Sequence, residues 1–481
     1  MRLRRRSVLK FLSVSAAGVA ATGAGAQRVS AEERGGDHHE VIERDVCILG
    51  GGSSGTYSAV SLHDAGKSVV IVERKTRLGG HTETYVDPAT GIPTDIGVVV
   101  FNDTPVVEAY FTRLGITTIP VSPADLGGQQ VNFDFRTGKP VTGFTPPSQA
   151  DTGAALGAYF GFLQTTKATY YDLDSGSNFP QPILPDLLLP FGDFVIKYSL
   201  QAMVSTAFQF GQGLGNLLQM PTVYVLKNFS SAVLTSIFSN RFLIDPSGNS
   251  QIYTTATTLL GPDNILFGAD IKSVDRHGAG VTVIVDTPTG RKEIRAKKLL
   301  VTCPPTLDNL HNLDLDRSEA SVFGQFQNNF YWTAILKLSG VPAGLTVANI
   351  GQNTLYNLPP LPGIYGLSPT RVPGLWNCKY GSAVRLSDLE VQRNIVDDVR
   401  RLHDPATFPT QPRVEEFTIF SAHNPFELRV SSPEINAGFY TRLNALQGHN
   451  HTYYNGAAFQ THDSSLIWQY SHDTVLPLLL A

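Results

Sequence analysis

Gly50, Gly52 and Gly55 are spaced G-x-G-x-x-G between an apolar run, VCIL (46–49), and a small-residue stretch, TYSAVSLHDAG (56–66). Those residue types bind pyrophosphate. Gly50 permits the tight turn, Gly52 lets the backbone approach the phosphates, and Gly55 lets a helix pack closely on a strand. Ser54 falls in the first turn of that helix, whose N–H groups and dipole favour negative charge. Glu73 ends the next apolar run, SVVIV (68–72). A carboxylate there accepts both ribose hydroxyls and repels a 2′-phosphate, which favours FAD or NAD over NADP. The competing reading, a bare glycine loop beside a surface Glu, does not account for the strand, turn, helix and strand around it.

Other residues could do chemistry, each with a plainer reading. His81 could be a phosphate neighbour, a proton donor or an attachment point, and phosphate neighbour is favoured. His449 and His451 stand at i, i+2 in strand-like text, but no third metal ligand is apparent and a solvated loop is preferred. His38 and His39 read as solvated. Tyr331, Trp332, Tyr440, Tyr453 and Tyr454 could line a cavity or equally fill a core. Three cysteines give neither a disulfide framework nor metal spacing. Cys47 and Cys303 read as small buried hydrophobes. No Ser-His-Asp or Cys-His pattern emerges, and the residues alone name no catalytic side chain and no metal ligand.

These residues need elements to hold them. VCIL and SVVIV are β-branched runs suited to a parallel sheet covered on both faces, joined by a helix ending near Gly66. Residues 250–260 read as a helix. NILFGADIKSVDRHGAGVTVIVDTPTGRKEIRAKKLLVT (264–302) reads as short strands joined by turns, with LLVT as a buried one. Between 121 and 250 the text turns helical and aromatic, as in FGDFVIKYSLQAMVSTAFQF (191–210), with Pro-rich breaks. A capped helix is expected at 386–403, with Ser387 or Asp388 at its start and Leu389, Ile395, Val399 and Leu402 on one face. A final helix is expected after TYYNGAAF (452–459), and His462 to Ser465 at its start could place N–H groups at a cofactor carbonyl.

The 481-residue chain carries 42% hydrophobic and 16% charged residues, enough for a large core in two domains. Its net charge is −4. Residues 1–31 hold Arg2, Arg4, Arg5, Arg6, Lys10 and Arg28 and no acid, so the remainder is more acidic still. That excludes nucleic acid as a partner. RRSVLK (5–10), followed by a mildly apolar stretch and small-residue sites at Ala24-Gly25-Ala26 and Val29-Ser30-Ala31, resembles a twin-arginine export signal. That route carries folded, cofactor-loaded proteins, and it implies a periplasmic or extracellular location. The longest later apolar run, 183–196, is broken by Pro185, Asp186, Pro190 and Asp193 and is too short to span a membrane.

Glu73-x-x-x-Arg77-x-Gly79-Gly80-His81 resembles the E-x-x-x-R-x-G-G-R segment of the flavin amine oxidase superfamily, whose Gly-Gly turn runs along the FAD pyrophosphate. Asp95-Ile96-Gly97, DIKSVDRHGAGVTV and LLVTCPPTL are similar to further family segments. HTETYVDPATGIPTDIGV looks like the smaller group around fungal β-cyclopiazonate dehydrogenase. The resemblance is clear over 44–115 and 248–307. Three features depart from it: Asn455 stands where an acid is expected, S-G-G-C is missing, and His81 replaces Arg.

The resemblance implies an α/β Rossmann-type FAD domain with a parallel sheet (44–120, 248–310 and 430–481), interleaved with an α+β substrate domain (121–247 and 311–429). It implies FAD contacts at Gly50, Gly52, Ser54, Gly55, Glu73, Arg74, Arg77, Gly79, Gly80, His81, Thr82, Gly97, Val98, Ile271, Ser464 and Ser465. The expected activity is oxidation of a small hydrophobic or aromatic molecule by hydride transfer to flavin N5, with oxygen or another acceptor taking the electrons. Alternatives are a double-bond isomerase or desaturase acting on a lipid or terpenoid, a non-catalytic FAD-binding protein, and a nicotinamide dehydrogenase.

Overall fold

The computed structural model describes residues 40–122, 125 and 127–481. The export-signal reading of residues 1–31 lies outside them.

Strand β1 (Glu40–Leu49) runs into the glycine turn, helix α1 (Ser53–Asp64) follows, and β2 (Val69–Glu73) returns beside β1. The β-branched runs form strands because both faces are covered: every residue of β2 is buried. Helix α1 stops where Gly66 turns left-handed (φ +75°). β1 and β2 pair in parallel, with Val46 opposite Val69. Ile265–Phe267 pairs in parallel with β2, and Gly290–Val301 with β1. Thr452–Tyr454 adds a further parallel strand beside residues 299–301. The sheet continues as an antiparallel meander through Val281–Thr287 and Asp270–Asp275.

The LLVT run is the buried end of the 12-residue strand Gly290–Val301, whose first half pairs with the meander and whose second half lies between parallel neighbours. Arg276 braces this sheet from below. Its fully buried guanidinium donates to Asp314 (2.6 Å) and to both oxygens of Glu319 (2.7 and 2.8 Å), and Glu319 also accepts from the Tyr454 hydroxyl.

A second, eight-stranded sheet places Gln327–Ser339 between Leu375–Ser382 and Arg413–Ala422. Helix Asp388–Arg401 packs against it. Ser387 and Glu390 form a capping box at its start, and Val391, Ile395 and Val399 are buried at i, i+4, i+8. Leu389 is 56% exposed, because it falls on the opposite side of the helix from that stripe.

Residues 149–260 are mainly helical, interrupted by the short strand Phe242–Ile244, which pairs with Phe101–Asn102 and Ile119–Val121. The 191–210 text divides into Phe191–Lys197 and Val204–Phe210 around a short turn, because Ser199 adopts a left-handed conformation (φ +55°) that no α-helix continues through. The final helix is likewise divided. Ser464–Tyr470 widens into a π-turn over Ser471–Val475 before Leu476–Leu480, where Pro477 has no N–H to give the ladder. His449 and His451 lie in a tight turn, not a strand, with His451 at φ +58°. Among the described residues no helix is long and apolar enough to cross a membrane.

Candidate active site

A cavity of about 390 Å³ opens at the carboxyl ends of β1, β2 and Gly290–Val301, where open α/β sheets place their ligands. One wall is glycine. A Cβ on Gly55 would lie 2.0 Å from the Gly50 carbonyl oxygen, so only glycine lets α1 meet the turn this closely. On Gly80 (φ +56°) a Cβ would come within 3.0 Å of Gly52 Cα, so two bare backbone turns face each other there. No side chain caps the N-terminus of α1, which leaves its first-turn N–H groups for a ligand. Thr302 stiffens the turn, its hydroxyl donating to the carbonyls of Leu49 (2.9 Å) and Gly50 (2.8 Å).

Glu73 is buried at the cavity wall. Each carboxylate oxygen accepts one backbone N–H, Gly51 on Oε2 and Lys75 on Oε1, both at 2.7 Å. The carboxylate is thereby aimed, and its remaining lone pairs are open to ribose hydroxyls. Arg74 and Lys75 also line the cavity, and Lys75 Nζ donates to the Gly80 carbonyl at 2.9 Å.

Of the expected residues, Gly50, Gly52, Ser54, Glu73, Arg74, Gly79, Gly80, His81, Thr82, Val98, Ile271 and Ser464 all line this one cavity. Gly55, Arg77, Gly97 and Ser465 stand behind its wall. Arg77 turns inward, donating to the Thr82 carbonyl (2.9 Å) and pairing with Glu83 (3.1 Å), so it clamps the Gly79–Gly80 turn. Gly97 lies against His81, where a Cβ would meet the His81 carbonyl at 2.1 Å. Ser465 accepts from Asn102 N on its hydroxyl and donates its N–H to Asp463. Asp463 also accepts from Leu466 N, so the helix start expected to offer free N–H groups is already capped, and its N-terminal dipole is what it brings to the cavity.

Sequence reasoning missed the histidines opposite His81. The His81 and His423 rings stack at 4.4 Å, nearly parallel, and His462 lies 6.4 Å from His81 and stacks on Phe426 at 3.9 Å. Burial pushes the His81 pKa down to about 4, helped by Lys75, Arg74 and Arg77. Burial likewise pushes His462 to about 3, and His423 well below the ordinary value, so all three rings are neutral near pH 7. The signal was present as three separated His residues, but nothing local says that they meet.

The surroundings correct the reading of Cys303 and decide others that residue type alone left open. Cys303 is not fully buried like Cys47: it lines the cavity, and desolvation raises its thiol pKa to about 11. Trp332 and Tyr454 are core residues, hydrogen-bonded to Asp388 and Glu319. Asn455 lines the cavity, yet its amide is committed to Ser471, Ser58 and Gly456 N. His449 approaches Asp316 at 2.5 Å with Glu319 nearby, but Asp316 caps a helix and Glu319 holds Arg276.

A parallel sheet, a glycine turn at an uncapped helix and an aimed carboxylate define an α/β dinucleotide-binding protein. Gly52 faces only Gly80 Cα across open space, and the wall continues to Ile271 and Val98, so the residues fit FAD. Residues 54–343 match the family model for flavin-containing amine oxidoreductases. The chain is 38% identical to the FAD-dependent oxidoreductase oblC of Cochliobolus heterostrophus over 455 residues, 92% of each chain. It is 34% identical to β-cyclopiazonate dehydrogenase of Aspergillus oryzae, covering 91% of this chain and 94% of that one. A fatty acid isomerase from P. acnes that produces CLA shares the fold (TM-score 0.72, 18% identity, 90% of this chain and 98% of that one). So does putrescine oxidase (TM-score 0.62, 17% identity, 92% and 100%).

The chain belongs to the flavin-containing amine oxidoreductase family. It is an FAD-dependent oxidoreductase.

Proposed function

We propose that FAD lies extended along this cavity, with adenine toward Ile271, ribose on Glu73, pyrophosphate at the start of α1 and the flavin between Val98 and His462. The substrate is a small hydrophobic or aromatic molecule. One observation carries that choice. The charged cavity residues Glu73, Arg74, Lys75, Asp270 and Asp308 belong to the β2 end and to the Ile271 region, whereas Ala422, Pro425, Leu428, Ala457, Ala458 and Ile467 wall the His462 side. An apolar wall rewards an apolar substrate at about 25 cal/mol per Å² removed from water. Held there, FAD would supply a hydride acceptor at N5 and an electron pair for oxygen or another acceptor. This chain's residues hold the cofactor, aim its ribose through Glu73 and exclude water along the Ala457–Ala458 wall.

The test is anaerobic: the purified protein is mixed with apolar, aromatic and amine candidates, and loss of the flavin's visible band is recorded. Bleaching by an apolar or aromatic compound supports the reading. Bleaching only by charged polyamines overturns it, and turnover with no acceptor present points instead to isomerisation.

We further propose that 44–120, 248–310 and 430–481 act as the FAD domain, that 121–247 and 311–429 act as the substrate domain, and that the chain is exported. RRSVLK supports export. Replacing Arg5 and Arg6 together by Lys retains the product inside the cell if this holds, and unchanged export of that variant refutes it.

A further inference from the structure

His462 was in no expectation as a side chain of its own, and the structure constrains it closely. Its Nε2 accepts a 2.9 Å hydrogen bond from the backbone N–H of Glu427. A ring nitrogen that accepts from an N–H carries no proton, so the neutral imidazole must carry its proton on Nδ1. The plane is set as well, because the ring lies flat on Phe426 at 3.9 Å. Both flanks are fixed. Glu427 sits at φ +50° with its carboxylate accepting from Asn228 Nδ2 (3.3 Å), and Asp463 caps the following helix while accepting from Asn102 Nδ2 (2.8 Å). Among the described residues Nδ1–H has no hydrogen-bond acceptor, and the ring lines the cavity across from His81.

We infer that His462 is a preorganised neutral hydrogen-bond donor to the flavin ring, which makes the ring a better electron acceptor without itself exchanging a proton. The inference rests on the reading of this cavity as the FAD site. A donor whose orientation is fixed before the reaction stabilises developing negative charge with no reorganisation at that moment. The ring resists protonation because burial and the nearby His81 oppose a charge there.

The experiment uses the full, FAD-loaded chain and two readouts besides turnover: the two-electron reduction potential, and the affinity for sulfite, which adds to electron-poor flavins. His462→Phe keeps the stack on Phe426 and removes both nitrogens. His462→Asn keeps an N–H near the Nδ1 position and loses the acceptor. His462→Gln keeps an acceptor near the Nε2 position and loses the Nδ1 donor. The expected result is normal FAD content in all three. Sulfite binding weakens about tenfold in the Phe and Gln variants, the worth of one hydrogen bond, with a lowered potential. The Asn variant returns to within about threefold of the parent, and these ratios are the same at pH 6 and pH 9.

Unchanged sulfite affinity and potential in His462→Phe overturn the inference, and so does rescue by Gln but not by Asn. Gly80→Val separates this from failure of the underlying reading. If that variant retains FAD, the cavity assignment itself is wrong; if it loses FAD while His462→Phe is silent, only the role of His462 is wrong.

Discussion

Replacing Gly55 by Ala tests the pyrophosphate cradle through one methyl group. The new Cβ would lie 2.0 Å from Gly50 O and 2.8 Å from Thr302 Oγ1. Helix and turn must therefore part by roughly 1 Å or more to restore contact distance. Overpacking of this kind costs about 1–3 kcal/mol, and disturbing the Thr302 hydroxyl bond adds about 1 kcal/mol. The larger effect falls on the ligand, because the turn and the first-turn N–H groups shift together. Losing one charge-assisted hydrogen bond costs about 1.5–3 kcal/mol, a ten- to hundredfold weakening. The assay is FAD titration of the apoprotein by fluorescence quenching, beside urea unfolding. Gly66→Ala is the control: it adds the same methyl group at a residue of positive φ (+75°), with nothing within 4 Å of its Cβ. It should cost about 1–2 kcal/mol of stability and leave FAD affinity unchanged. The reasoning fails if Gly55→Ala binds FAD as tightly as the parent, or if Gly66→Ala weakens binding as much.

Arg276→Met should lower stability by about 3–5 kcal/mol in urea unfolding, because Glu319 is left buried with its charge uncompensated. Ile395→Ala should cost about 2–4 kcal/mol, whereas Leu389→Ala on the outer face of the same helix should stay within about 0.5 kcal/mol; equal losses would refute the assigned helix face. His462→Gln should change the pH dependence of stability. The folded pKa of His462 is depressed to about 3 from 6.5, so its contribution is fully present above pH 6.5 and is lost as pH falls. At pH 5 the unfolded chain gains about 1.5 pH units' worth of protonation that the folded chain refuses, about 2 kcal/mol. The stability difference between parent and variant should therefore shift by that amount between pH 8 and pH 5, in the variant's favour at pH 5. A difference that does not move with pH contradicts a buried neutral ring.

The β1–α1–β2 unit was legible because its determinants are local: β-branched runs, a glycine turn and a terminal Glu73 lie within one short stretch of chain. The start of the helix at Ser387 or Asp388 was legible for the same reason, and the structure settles the cap on Ser387, paired with Glu390. What could not be read depends on distant pairings. Gln129–Asp134 lies parallel to Leu345–Asn349, and nothing in either segment names the other. Aromatic residues stayed undecided for a different reason: Trp332 and Tyr454 bury the same apolar area in a core as in a cavity wall, so type alone could not separate the two. Leu389 shows how one apolar residue can sit near a helical stripe in sequence and opposite it in space. His81 was found through its glycine neighbours, whereas His423 and His462 join it only because the second sheet and the final helix bring them there.

The most direct test is a crystal structure of the FAD-loaded chain, read for where the cofactor density lies. The account predicts adenine beside Ile271, ribose hydroxyls on Glu73, pyrophosphate over Gly52 and Gly80 at the start of α1, and the ring edge within hydrogen-bond distance of His462. Density with the dinucleotide reversed, or with Glu73 free of the ribose, would contradict it.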